Sequence, residues 1–69
     1  MSENVYAISE IAGSSGTSIE EAIENALARA RKTLRNLDWF ETTEIRGHLA
    51  EDGTVAHYQV SLKLGFRME

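Results

Sequence analysis

The residue with the clearest capacity for ligand chemistry is Trp39, the only tryptophan in the chain. It lies where a helical pattern ends and an alternating, strand-like pattern begins. An indole at such a junction either fills a small core or offers its face to a flat ligand. We favour the ligand, and we expect no catalysis, because the sequence shows no recognisable pairing of a nucleophile with a base.

A second group with possible chemistry is basic and lies toward the C-terminal end of the helical pattern. Bases at a helix C-terminus usually form a solvated surface that complements the helix dipole. Arginine and lysine are also the side chains that bind phosphate groups, so an anion site is the alternative. Both interpretations stay open for these residues, which are Arg29, Arg31, Lys32 and Arg35.

Two histidines, His48 and His57, flank a predicted hairpin turn and can approach each other across neighbouring strands. A metal site there would need at least one more ligand, together with hydrogen bonds that orient the ligands. A solvated or interface role is the simpler interpretation. We therefore predict no metal, and the absence of cysteine also excludes disulfides and thiolate zinc sites.

Three strands and one helix must position these residues. Residues 5–12 predict a first strand, and the glycine- and serine-rich residues 13–17 predict a connection that lacks the lysine and spacing of a phosphate-binding loop. Ser18 and Glu21 form a capping-box pattern, in which each side chain bonds the other residue's backbone N–H. The apolar stripe that follows predicts a helix from Ile19 to Leu37.

After Asn36 the spacing of the apolar residues changes from the 3.6-residue period of a helix to the two-residue period of a strand. Residues 39–49 predict a second strand, and Asp52-Gly53 predicts a hairpin turn into the third. We expect Trp39 to share a face of the second strand with Thr43, Ile45 and Leu49, and the opposite face to hold Phe40, Thr42, Glu44, Arg46 and His48. In the third strand, the apolar face that the helix covers comprises Tyr58, Val60, Leu62, Leu64, Phe66 and Met68, and the polar face comprises His57, Gln59, Ser61, Lys63, Gly65 and Arg67.

Length and charge limit the function further. A single domain of 69 residues has a small core, and long hairpin edges favour pairing with other copies, so we expect a homo-oligomer. The net charge of −4 argues against nucleic-acid binding. Without an apolar run of membrane-spanning length, or a signal-peptide pattern at residues 1–4, we expect a cytoplasmic protein that does not interact with a membrane.

In four segments the chain resembles the dodecin family. These are Lys-Thr-Leu-Arg-Asn-Leu-Asp-Trp-Phe-Glu at 32–41, Glu-Ile-Arg-Gly at 44–47, His-Tyr-Gln-Val at 57–60 and Leu-Gly-Phe-Arg at 64–67. The likeness covers nearly the whole chain in order. It implies an α+β fold with a β-α-β-β protomer, whose three-stranded antiparallel sheet wraps around one helix, and assembly into a hollow homododecamer.

The resemblance also implies a ligand. Members of the family bind FMN or riboflavin without turnover, which stores the flavin and limits its photochemistry. Flavins stack in pairs between tryptophans of symmetry-related subunits, and Trp39 matches that tryptophan. Gln59 matches the glutamine that bonds the polar edge of the isoalloxazine, and Arg46 matches an arginine beside the flavin.

Coenzyme A is a second ligand that the resemblance to bacterial members implies. The matching region is the end of the helix and the rim of the sheet. An alternative to flavin binding is therefore a structural or coenzyme-A-binding oligomer in which Trp39 belongs to the interface core. The residues that would serve coenzyme A are Arg29, Lys32, Thr33 and Arg67.

Overall fold

The computed structural model describes residues 5–68, so residues 1–4, which were considered above for a signal peptide, lie outside the described part. The described chain forms β1 (Val5–Ser15), α1 (Ile19–Ala30), β2 (Leu37–Leu49) and β3 (Val55–Met68). Strand β3 lies in the middle of the sheet and is antiparallel to both neighbours. This order confirms the predicted β-α-β-β protomer.

The core lies between α1 and one face of the sheet. The alternation of β3 turns every second side chain toward the helix, and alanines four residues apart lie on one stripe of α1. Small side chains on the helix let it approach the sheet closely. The buried core residues, each at most 5% exposed, are Ala22, Ala26, Ala30, Val60, Leu62 and Leu64. The apolar face predicted for β3 is confirmed at Val60, Leu62 and Leu64, whereas Met68, predicted on the same covered face, is 61% exposed.

The approach of α1 to β1 depends on Gly13. A Cβ added there would lie 2.3 Å from the carbonyl oxygen of Ala22 and 2.7 Å from Cβ of Ala26, so only glycine leaves enough room. The prediction that residues 13–17 form a connection was wrong at its start. Strand β1 continues to Ser15, because residues 13–15 remain paired with β3.

The start of α1 confirms half of the predicted capping box. The Ser18 hydroxyl accepts a hydrogen bond from the Glu21 N–H at 3.0 Å. The prediction of the reciprocal bond, from the Ser18 N–H to the Glu21 side chain, was wrong. The Glu21 carboxylate instead accepts from the hydroxyl of Ser15. That hydroxyl oxygen in turn accepts from the N–H of Thr17 at 2.9 Å, which ties the end of β1 to the first turn of the helix.

The predicted C-terminal end of the helix was also wrong, because α1 ends at Ala30 and not at Leu37. Beyond it the chain tightens into a turn, in which the Thr33 N–H donates to the Ala30 carbonyl at 3.1 Å. Asn36 then adopts a left-handed conformation with φ of 61°, which redirects the chain into β2. Leu34 and Leu37 still pack against the core from outside the helix, so the apolar spacing outlasts the helix itself.

A β-bulge in β2 decides which of its residues share a face. Between Thr42 and Glu44, β2 advances by two residues while β3 advances by one. The alternation therefore changes phase, and the prediction that Trp39 shares a face with Ile45 and not with Arg46 was wrong. Residues opposite each other in antiparallel strands project to the same face. The pairs that share the face away from α1 are Trp39–Gly65, Glu41–Lys63, Glu44–Ser61, Arg46–Gln59 and His48–His57.

The helix leaves part of the other face uncovered. Because α1 has only 12 residues and packs mainly on β1 and β3, the helix side of β2 beyond Leu37 is largely open. Phe40 and Ile45 lie there and are 46% and 56% exposed. We call these two residues the uncovered β2 surface.

The hairpin turn between β2 and β3 agrees with the Asp-Gly prediction. Gly53 has a positive φ of 89°, and the Ala50 N–H donates to the Thr54 carbonyl at 2.7 Å. The Asp52 carboxylate accepts from the Thr54 hydroxyl at 2.7 Å and from the Thr54 N–H at 3.0 Å. These hydrogen bonds hold the pKa of Asp52 below its ordinary value, since they stabilise the charged form.

Candidate functional site

The face of the sheet away from α1, which we call the open face, carries all three residues predicted to bind flavin. Trp39 lies near one end of the sheet, and Arg46 and Gln59 form an opposed pair toward the hairpin end. Between them the open face forms a shallow depression of about 690 Å³. It is lined by Glu10, Ile11, Ala12, Thr43, Glu44, Ser61, Leu62 and Lys63.

The indole of Trp39 lies against the backbone of β3 at Gly65. A Cβ added to Gly65 would lie 2.0 Å from Cε2 and 2.3 Å from Cζ2 of the ring. The ring therefore occupies the space that any other residue at position 65 would fill with its own side chain. Trp39 nevertheless remains 37% exposed, so it is seated on the sheet without being buried in it.

Tyr6 of β1 packs beside this tryptophan. The two ring centroids are 6.1 Å apart and the ring planes are inclined by 59°, within the range that aromatic pairs favour. The Tyr6 hydroxyl donates to Oδ2 of Asp38 at 3.0 Å, which links β1 to the residue before Trp39. Sequence reasoning missed Tyr6, Asp38 and Gly65 as supports of Trp39, because only the strand pairing brings them together.

At the other end of the site, Arg46 and Gln59 each contact one polar side chain. Nη2 of Arg46 forms an ion pair with Oε1 of Glu44 at 2.8 Å. Both side chains are more than half exposed, so this pair contributes little stability and leaves the guanidinium accessible. Oε1 of Gln59 lies 3.0 Å from Nε2 of His48.

The two histidines approach each other, as the hairpin geometry suggested. The rings of His48 and His57 are stacked, with centroids 4.3 Å apart and planes inclined by 16°. Stacked rings present their faces to each other and do not direct ring nitrogens at a common point. Among residues 5–68, no group of three or more His, Cys, Asp or Glu side chains is arranged to hold a metal ion.

One protomer does not bring the predicted flavin ligands together at a single point. Gly65, which supports Trp39, is six residues from Gln59 along β3, or about 20 Å at 3.3–3.4 Å per residue. That distance exceeds the length of a three-ring ligand. A flavin that contacts both Trp39 and Gln59 must therefore take them from different protomers.

The residues predicted for coenzyme A fall into two places. Arg29 and Thr33 line a depression of about 370 Å³ between the end of α1 and β1. Lys32 belongs to the turn after α1, and Arg67 is opposite Tyr6 on the open face. The geometry thus groups two of the four residues, and their assignment to coenzyme A stays a prediction.

Within the described residues, no helix is long and apolar enough to cross a membrane.

Comparison with known proteins identifies the family. The family model described as Dodecin matches residues 5–69. A dodecin of Thermus thermophilus is 58% identical over 65 residues, which cover 94% of this chain and 93% of that protein. A crystal structure of a Thermus thermophilus protein superposes with a TM-score of 0.88 at 57% identity, covering 97% of each chain. The dodecin structure from Streptomyces coelicolor gives a TM-score of 0.89 at 54% identity, with 100% of this chain and 97% of the other covered. The chain belongs to the dodecin family.

Proposed function

We propose that this protein binds flavins, FMN or riboflavin, and holds them without turnover as a store that also limits their photochemistry. The observation that carries the proposal is the setting of Trp39. Its indole is seated on Gly65 and flanked by Tyr6, yet 37% of the residue is exposed. A tryptophan that served only as a core residue would be expected to bury its ring against α1, on the other face of the sheet.

The chemistry of the three predicted ligands suits an isoalloxazine. This ring system is flat and electron-poor, so an indole face offers it a favourable surface for offset stacking. Its pyrimidine edge has both donors and acceptors, and the Gln59 amide can match both types. The accessible guanidinium of Arg46 can stack on the ring or pair with the phosphate of FMN.

We propose further that the sites form between copies of the chain in a hollow homododecamer. The distance of about 20 Å between the Trp39 end and Gln59 along β3 supports a site shared by two protomers. The uncovered β2 surface, Phe40 and Ile45, provides apolar area that a second copy can bury. In such a site two flavins stack as a pair between the tryptophans of two copies. With an indole on each outer face of the pair, a substrate has no access to the reactive ring, which supports binding without catalysis.

Titration of the ligand-free protein with riboflavin and with FMN tests this function. Flavin fluorescence should be quenched stoichiometrically by the wild type, because a stacked indole quenches the excited ring. Trp39→Ala should abolish the quenching and leave the oligomer intact by light scattering, whereas Trp39→Phe should retain part of it because an aromatic face remains. Absence of quenching by the wild type would refute the proposal.

Coenzyme A is the second candidate ligand. The depression of about 370 Å³ beside Arg29 and Thr33 combines a guanidinium and a hydroxyl, which suit a phosphate group. If the wild type does not quench flavins and Trp39→Ala dissociates the oligomer, Trp39 belongs to the interface core. Equilibrium dialysis with coenzyme A, comparing the wild type with Arg29→Ala, is then the decisive measurement.

A further inference from the structure

The open face contains a hydrogen bond that the flavin site described so far does not use. Nε2 of His48 lies 3.0 Å from Oε1 of Gln59. His48 and Gln59 are diagonal neighbours across β2 and β3, since Arg46 opposes Gln59 and His48 opposes His57. In this arrangement the amide oxygen faces the ring, so His48 is the donor and carries a proton on Nε2.

We infer that His48 is a positioning residue for the flavin, acting through the Gln59 amide. This inference rests on the proposed function, in which Gln59 meets the pyrimidine edge of the ligand. In the structure Oε1 of the amide faces His48, and the NH₂ group faces away from it. The bond therefore restricts rotation of the Gln59 side chain and holds its amide at a fixed place on the open face.

With the amide held in this arrangement, its two groups present a defined pattern to the ligand edge. The NH₂ group of Gln59 donates, so it requires an acceptor on the ligand, and the remaining lone pair of Oε1 can receive one N–H. Neighbouring C=O and N–H groups of a pyrimidinedione ring, as in the isoalloxazine, provide this pattern. A ligand edge made only of donors would leave this NH₂ group without an acceptor, so the arrangement suits an edge that has both types of group.

His57 keeps His48 in place. His48 is exposed, and an exposed side chain normally samples several rotamers. The stacked ring of His57, at 4.3 Å between centroids and nearly parallel, restricts the plane of the His48 ring. The donor therefore remains directed at Gln59 before a ligand arrives, which lowers the ordering cost of binding.

His48→Phe tests the inference most directly, because phenylalanine retains a flat ring for the stack and lacks the donor. In a riboflavin fluorescence titration of the assembled protein, its Kd should rise about threefold to tenfold, the range expected for one neutral hydrogen bond. His57→Phe is the matched control: it retains the stack and removes no bond to Gln59, so its Kd should stay within about twofold of the wild type.

Two more variants separate positioning from a merely structural role. His48→Gln restores a donor of similar reach and should bind riboflavin within about twofold of the wild type. In a Gln59→Ala background, His48→Phe should have no additional effect, because the residue through which it acts is gone. If His48→Phe does not assemble, the His48→Gln result still decides, since a tenfold loss there would overturn the inference.

The outcomes distinguish this inference from the proposed function. If the wild type does not quench riboflavin, the proposed function fails before His48 is considered. If the wild type binds and His48→Phe binds equally well, only the positioning role of His48 is refuted. An equal loss with and without Gln59 would also refute it, because His48 would then act on the ligand or the fold directly.

Discussion

A methyl group added at Gly65 tests how Trp39 is seated. In Gly65→Ala the new Cβ would lie 2.0 Å from Cε2 of the indole, whereas carbon atoms in contact are about 3.5–4.0 Å apart. The ring must therefore retreat by about 1.5–2 Å. It can do so without unfolding the sheet, because Trp39 is 37% exposed on the open face and lies outside the core.

The effect should fall mainly on the ligand. Stacked aromatic pairs contribute about 0.5–1.5 kcal/mol beyond their buried area, and a displaced indole also loses part of its dispersion contact with the flavin. We expect riboflavin affinity to fall by about 1–2 kcal/mol, or roughly fivefold to thirtyfold. The unfolding free energy should change by less than the roughly 1–3 kcal/mol of an overpacked core, since the ring can move.

Two measurements and one control variant test whether the added methyl group displaces the indole. Because Trp39 is the only tryptophan, its emission without ligand reports directly on displacement of the ring, and riboflavin titration reports on binding. The control is Gly47→Ala in β2, whose Cβ would lie 3.8 Å from Cγ1 of Val55 and 3.9 Å from the His57 carbonyl oxygen, both ordinary contacts. If Gly65→Ala matches Gly47→Ala and the wild type in emission and in affinity, this account of the Trp39 seat is wrong.

Two further predictions concern the fold and the assembly. Gly13→Ala should lower the unfolding free energy by about 1–3 kcal/mol or more, because its Cβ would lie 2.3 Å from the backbone of Ala22. Thermal denaturation measures this loss. The control is Gly16→Ala, whose Cβ would have its nearest neighbour 4.0 Å away and which should melt like the wild type. The second prediction applies if each site combines Trp39 of one copy with Gln59 of another. Trp39→Ala and Gln59→Ala chains, refolded together in equal amounts, should then recover roughly a quarter of the riboflavin sites, because random mixing pairs two intact residues in about one site of four. No recovery would place both residues in one protomer.

The sequence predicts correctly those features that depend on a single strand or helix. The two faces of β3 follow from alternation alone, since a central strand keeps a period of two along its length. The stripe of α1 predicts the helix but not its end, because Leu34 and Leu37 pack on the core from the connection and from β2. Apolar spacing records burial, and residues outside a helix are also buried.

The candidate site was harder to predict because it depends on pairing between strands. Gln59 and Arg46 were identified through the family resemblance, and the sequence placed Gln59 on the correct face of its strand. The bulge after Thr42 is defined by the register between β2 and β3. The local sequence of β2 therefore did not indicate that Arg46 lies on the same face as Trp39. The role of Gly65 as the seat of the indole requires the same register, which a single sequence does not record.

The proposed division of the site between the Trp39 end of one copy and Gln59 of another would make flavin retention depend on subunit concentration. If the proposed site is correct, a protomer that leaves the assembly would have only part of a site and would release its flavin, and by reciprocity bound flavin would oppose dissociation. Flavin capacity should then rise steeply, and not in proportion, as protein concentration passes the threshold for assembly. A cell could change the amount of sequestered flavin by a modest change in synthesis of this chain, without modifying any residue in the site.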